Sequence, residues 1–167
     1  MVISVLALIA TLLMGLGNTV GYHRLLTHRA FVTPRPVRWG LTILGAMHSG
    51  SPVVWVGLHR LHHARSDTDE DPHSPRGGFA WAHCGWLIGT RRPLPAALFA
   101  LSGFGQQIAV ISHDIRCVLG RNPPTWRKLC PDLMEEPLMR ALDTPGVIPA
   151  LWLCLLYTSP SPRDGTK

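Results

Sequence analysis

Five histidines in two spaced groups carry the chemistry that this chain's residue types allow. His23 and His28 stand five positions apart, and His59, His62 and His63 form an H-x-x-H-H cluster at the end of an apolar stretch. Neutral imidazole is a good donor to iron, zinc, copper or nickel, so the pattern points to a transition-metal centre without naming the metal. On a helix, positions i, i+3 and i+4 share a face, which lets His59 share a metal region with His62 and His63. His23 and His28 fall about 140° apart around a regular helix. They are therefore expected to serve different ions of a pair, or to sit where the helix ends. A lone histidine in such a place is an interfacial residue satisfied by backbone or water. Five of them, in two clusters at the same end of apolar segments, favour ligation. Asp67, Asp69 and Asp71 follow the second cluster, placed to accept the free N–H of ligating imidazoles and fix their tautomers. A solvated acidic loop or helix cap is the equally weighted alternative.

The elements that must position these residues read as membrane helices. Val2 to Val20 is an uncharged run of 19 residues, about 28 Å as a helix and close to the roughly 30 Å hydrocarbon core. No Lys or Arg precedes Arg24, whereas Arg24, Arg29, Arg35 and Arg38 follow closely. That asymmetry places the C-terminal side of the run in the cytoplasm. It also argues against a cleaved signal peptide, which begins with a basic stretch. Trp39 to Leu58 is apolar too, with a central Gly50-Ser51-Pro52 break. One crossing there would put His23 and His28 on one side of the bilayer and His59, His62 and His63 on the other. The expectation is a bent helix pair lying along or dipping into the cytoplasmic face, with both clusters on that side.

From Ala64 to Arg92 the chain turns polar and then aromatic, which suits a membrane interface. Pro95 to Ile111 reads as an interfacial or core helix, and Arg116 to Pro131 as a basic, proline-rich loop. Val147 to Tyr157 covers about 16 Å as a helix, half of a crossing. The TSPSPRDGTK tail that follows resembles read-through into foreign residues. The expected organisation is one partial domain over 1–157, with a disordered, non-native tail over 158–167. Formal net charge is +6, but the arginines alternate with histidine clusters and apolar runs rather than forming a stripe, so no nucleic-acid partner is expected. The cysteines, Cys84, Cys117, Cys130 and Cys154, include no CxxC pair, so neither a zinc ribbon nor a disulfide framework is indicated.

GYHRLLTHRAF and GLHRLHHARSDTDEDPHSPRGGFAWAHCGWL resemble the first and second histidine boxes of the acyl-CoA (stearoyl-CoA-type) fatty acid desaturase family. The likeness is dense from Gly17 to Leu87 and looser over Pro131 to Asp143. It implies an all-α fold of integral membrane helices with a cytoplasmic histidine-box cap. It also implies a di-iron centre that uses O2 to remove two hydrogens from an acyl chain, with electrons from a ferredoxin-like or cytochrome-b-type donor. By residue, it assigns iron ligation to His23, His28, His59, His62 and His63. His48 and His113 are left as structural or surface residues, and His73 and His83 as parts of the motif flanks without a ligand role. The family's third histidine box does not appear after Tyr157, so the chain as given is expected to be a truncated piece that is incompetent alone. The segment from Ile88 to Cys130 is longer than the usual link. Arg65, Arg76, Arg91, Arg92, Arg121, Arg127 and Lys128 are expected to gather beside the boxes. Arg76 and Arg91 are the candidates to bind the phosphates of a CoA carrier or an acidic acyl carrier protein, with attraction to anionic membrane lipid as the competing reading. Two other functions are carried: a membrane di-iron hydroxylase, and a non-catalytic metal-binding membrane fragment.

Overall fold

The structure, a computed structural model, describes residues 2–101, 105–119 and 125–158. Arg121 and the tail beyond Thr158 lie outside the described residues. Among those described there is no strand, and the fold is all-α.

Helix α1 (Val2–Leu16) continues without a break into a π-helical segment, Gly17–Thr27. Together they contain the one helix among the described residues that is long and apolar enough to cross a membrane, Val5–Thr27, 23 residues. Its first half leaves Val5, Leu6, Leu8, Ile9, Leu12, Leu13 and Leu16 exposed, as expected for side chains facing lipid. The second half is packed. A Cβ on Gly17 would run into the backbone nitrogen of Gly45, so the two glycines let the helix cross α2 (Arg35–Ser49) at backbone contact.

Helix α2 and helix α3 (Pro52–Arg65) form the bent pair expected over Trp39 to Leu58, meeting at 82°. Gly50 makes the corner with φ 82° and ψ −150°, a region open essentially to glycine alone. Ser51 then caps α3 by accepting the Val54 N–H at 3.3 Å, and Pro52 opens the helix where its missing N–H costs nothing. The Gly50 carbonyl, released from α2 by the turn, accepts the buried Tyr22 hydroxyl at 2.8 Å. The corner is thereby tied to the π-helical segment.

The rest of the chain wraps this pair. A short π turn, Trp81–Gly85, leads through α4 (Trp86–Ile88) to α5 (Pro93–Leu101) and α6 (Gly105–Val118), followed by α7 (Thr125–Leu129), α8 (Pro131–Met134), α9 (Pro137–Leu142) and α10 (Val147–Thr158). Tyr22, Leu25, Leu26, Ala46, Val53 and Val56 pack with Cys130, Leu133, Met139, Leu142 and Ile148 in one core. Polar ties close it. Ser51 donates to Asp143 at 2.7 Å, Arg38 pairs with Glu136 at 2.7 Å, and the Trp152 indole donates to the Met47 carbonyl at 3.2 Å. Arg116 to Pro131, expected as a loop, is partly helical: α6 runs on to Val118, and Thr125–Leu129 forms little more than one helical turn.

Candidate metal centre

The π-helical segment decides where the first pair of histidines points. Its hydrogen bonds close over five residues rather than four, as from the His28 N–H to the His23 carbonyl at 3.0 Å. The Thr27 hydroxyl adds another five-residue link to the Tyr22 carbonyl at 2.8 Å. Residues five apart therefore line up. His23 and His28, 140° apart on a regular helix, bring their Nε2 atoms to 3.2 Å. His28 also terminates the element, so the helix-end alternative describes its place.

Helix α3 supplies the second group. His59 and His63, one turn apart, hold their Nε2 atoms 3.1 Å from each other. Their rings meet those of the first pair: centroids lie 4.9 Å apart for His23 and His59 and 4.7 Å for His28 and His63. One donor atom from each of His23, His28, His59 and His63 falls within 4.8 Å of the others. Two nitrogens bound about 2.1 Å from one ion at a right angle stand about 3.0 Å apart, so the 3.1 and 3.2 Å pairs match edges of a coordination shell. Burial pushes the His59 imidazole down to about 4, with repulsion from His63, His23, His28 and His62 adding to the shift. At neutral pH it is an uncharged donor. Trp55 stacks on it, centroids 4.8 Å apart, and shields that side of the group.

His62 turns away from this four-membered group. Its Nδ1 meets Asp71 at 2.9 Å, its ring lies 4.1 Å from His73, and His62, Asp71 and His73 form a second group able to hold an ion. It remains beside the first, with centroids 5.5 Å from His63 and 6.1 Å from His59. The Asp71 side chain is fully covered. Burial alone would push its carboxyl up, but His62 and the backbone N–H groups of His73 and Asp67 outweigh that and hold it below its usual value. The neighbouring aspartates behave differently. Asp67 contributes its backbone N–H, 3.3 Å from Asp71, while neither its carboxylate nor that of Asp69 reaches a histidine; both residues are exposed.

His73 is the site residue that the sequence left without a role. The signal was its position two residues after Asp71, where the carboxylate accepts its backbone N–H at 3.2 Å. The other histidines lie elsewhere. His48 bonds Ser49 at 2.8 Å beside the corner, His83 stacks on Phe79, and His113 sits near Asp114 and Cys117 on α6. Arg91 lies over the Trp81 ring, 5.5 Å from its centroid. Trp81 also abuts Gly77, next to the exposed Arg76.

Two cavities lie along α3, and the smaller adjoins the site histidines. The smaller, about 270 Å³, reaches His59 and His73. The larger, about 690 Å³, runs along α3 beneath α6 and includes Trp81, Trp126 and Arg116 in its wall. Trp55, Leu58 and Trp86 line both. The segment from Ile88 to Cys130, unaccounted for in the sequence, thus supplies one side of the larger cavity through α6.

A family model described as fatty acid desaturase matches residues 3–159. An sn-1 stearoyl-lipid 9-desaturase of Anabaena variabilis is 53% identical over 75 residues, 44% of this chain and 28% of the relative. An sn-2 palmitoyl-lipid 9-desaturase of Nostoc is 38% identical over 130 residues, 77% of this chain and 36% of the relative. An acyl-CoA 5-desaturase of Anemone leveillei is 44% identical over 77 residues, 45% of this chain and 24% of the relative. The chain thus matches only about a quarter to a third of the length of these three relatives. No solved structure matches it. With nearly its whole length matched by the family model, this chain belongs to the fatty acid desaturase family.

Proposed function

We propose that this chain carries the first two histidine boxes of a membrane-bound fatty acyl desaturase. The single observation behind the proposal is the convergence of His23 and His28 with His59 and His63, beside the smaller of two cavities that share Trp55, Leu58 and Trp86 in their walls. The reaction converts an acyl –CH2–CH2– into –CH=CH–. One O2 takes up the two hydrogens together with two electrons and two protons, leaving two water molecules; the electrons come from a ferredoxin-like or cytochrome-b-type donor. A di-iron centre, held by His23, His28, His59, His62 and His63, would supply the oxidant that an unactivated methylene requires. Asp71 fixes the ring of His62 through Nδ1 and leaves Nε2 as the donor. Trp55 covers His59, and the aromatic walls keep the acyl chain dry and aligned. Five imidazoles are fewer donors than two irons would take up, so further ligands would complete the centre, and on this reading the chain would be incompetent alone. The acyl carrier is CoA, an acyl carrier protein or a lipid, with Arg91, over the Trp81 ring, and Arg76, next to Gly77, as the residues that would meet its phosphate or acidic surface.

In a longer protein containing this chain, we expect iron near two per polypeptide and a product two mass units lighter than the substrate. A product sixteen units heavier would identify a hydroxylase instead, and iron binding without turnover a metal-binding fragment.

The contacts between boxes also bear on topology. The ring contact between His23 and His59 supports placing both boxes on one side of a bilayer, and the arginines that follow the apolar helix favour the cytoplasmic side. The α2–α3 pair then dips rather than spans. In a background without the native cysteines, Arg35→Cys and Asp67→Cys should label together from the cytoplasmic side of sealed vesicles. Labelling from opposite sides would refute the arrangement.

A further inference from the structure

The arginine that follows a ligand histidine in each box has a partner outside both boxes. Arg60, next to His59, forms a two-pronged pair with Asp132 at 2.7 and 2.9 Å. Arg29, next to His28, reaches the same carboxylate at 2.9 Å. The Arg60 guanidinium is used further: it donates to the Leu26 carbonyl at 2.9 Å and the Leu129 carbonyl at 3.2 Å. Leu26 lies at the end of the π-helical segment, between His23 and His28, where a carbonyl otherwise lacks a helical partner. One side chain of the second box therefore closes the backbone of the first.

We infer that Arg60, Arg29 and Asp132 form a latch that sets the separation and register of the two histidine boxes, with Asp132 the positioning residue that the α7–α8 region contributes to the metal centre. The planar guanidinium suits this task. It engages a carboxylate with two parallel bonds and still has donors for two carbonyls, which the compact lysine ammonium cannot do. Burial would push the Asp132 carboxyl up, but Arg60 and Arg29 more than offset it and hold the group at about 2, so it stays ionised throughout the physiological range. The pair is only partly covered, with Arg60 and Asp132 side chains 19% and 33% exposed. Its contribution to bulk stability is accordingly modest. Its geometric contribution is larger, because Arg60 bridges segments 34 and 72 residues away in the chain.

The inference rests on the proposed metal centre for one readout and is independent of it for the other. The full chain in detergent would be titrated with Co2+, following its visible absorption. In parallel, spin labels at the exposed positions Val32 and Ala64 would report the distance between the ends of the two boxes. Arg60→Gln and Asp132→Asn should each weaken Co2+ binding on the order of 10- to 100-fold, the usual effect of losing an outer partner of a metal site. Each should also broaden the label distance. Arg60→Lys should fall between these variants and the parent, and the double variant should be little worse than either single one, as for residues acting together. A protein whose labels broaden but whose parent binds no Co2+ would sink the metal reading and keep the latch. Unchanged label distances in Arg60→Gln and Asp132→Asn, whatever happens to the melting temperature, would overturn the latch.

Discussion

Replacing His59 by alanine is expected to remove metal binding from this chain and desaturation from any longer protein that contains it. Among the five box histidines, His59 makes ring contacts with all the others. It lies 4.9 Å from His23, 5.7 Å from His28, 4.6 Å from His63 and 6.1 Å from His62, centroid to centroid, and its ring is stacked under Trp55. It belongs to the four-membered donor group and also lines the smaller cavity, so it stands where metal and acyl chain would meet. Outer partners of a metal site cost 10- to 100-fold when lost, so a direct ligand in the middle of the group should cost more than about 100-fold in affinity. His83→Ala is the matching control. His83 lines the same small cavity but stacks on Phe79 and belongs to neither ligand group. Iron content by elemental analysis and product by mass spectrometry should separate the two variants: His59→Ala loses both, His83→Ala keeps iron. Equal iron in the two would remove His59 from the centre.

The sequence carried the second box further than the first. The spacing of His59, His62 and His63 names a helical face, because an α-helix has one periodicity, and the structure puts these residues on α3. The bend in Trp39 to Leu58 was readable once the two histidine clusters, which a single crossing would have separated, were set beside the Gly50-Ser51-Pro52 break. The spacing of His23 and His28 gave less. Nothing local marks Gly17–Thr27 as π-helical; its wide turns go with a backbone-contact crossing at Gly17 and Gly45 and with the Thr27 side-chain bond, both visible only after packing. The split of His62 from His63 has a similar origin. Adjacent residues lie about 100° apart on a helix, and a carboxylate brought in by the following loop captures one of them. Which of Asp67, Asp69 and Asp71 would do so depended on a turn with positive φ at Asp67, 60°, and spacing alone could not choose. Asp132, seventy-two residues from Arg60, was beyond the reach of any local rule.

Gly50→Ala should be among the most damaging single-methyl additions this protein can receive. Gly50 adopts φ 82° and ψ −150°, a conformation that costs a residue with a Cβ roughly 1–3 kcal/mol. The added methyl would also point into the Val110 side chain on α6, and overpacking of that kind costs about 1–3 kcal/mol more. The two penalties have separate origins, so their sum is expected to be about 2–6 kcal/mol. Relief at Gly50 requires α3 to swing, and α3 carries His59, His62 and His63. The Tyr22 hydroxyl bond to the Gly50 carbonyl would be strained by the same movement, which links the corner to the first box. Gly40→Ala in the same helix pair is the reference, because nothing lies within 4 Å of a Cβ there; it should be neutral or stabilise α2 by up to about 1 kcal/mol. Adding Val110→Ala to Gly50→Ala should restore the steric part of the loss and leave the backbone part. Thermal unfolding in detergent and Co2+ titration of the four proteins would show this order: Gly40→Ala at or above the parent, the double variant between, Gly50→Ala lowest in both. A Gly50→Ala protein that melts and binds metal as Gly40→Ala does would mean that the 82° corner does not set the position of the second box.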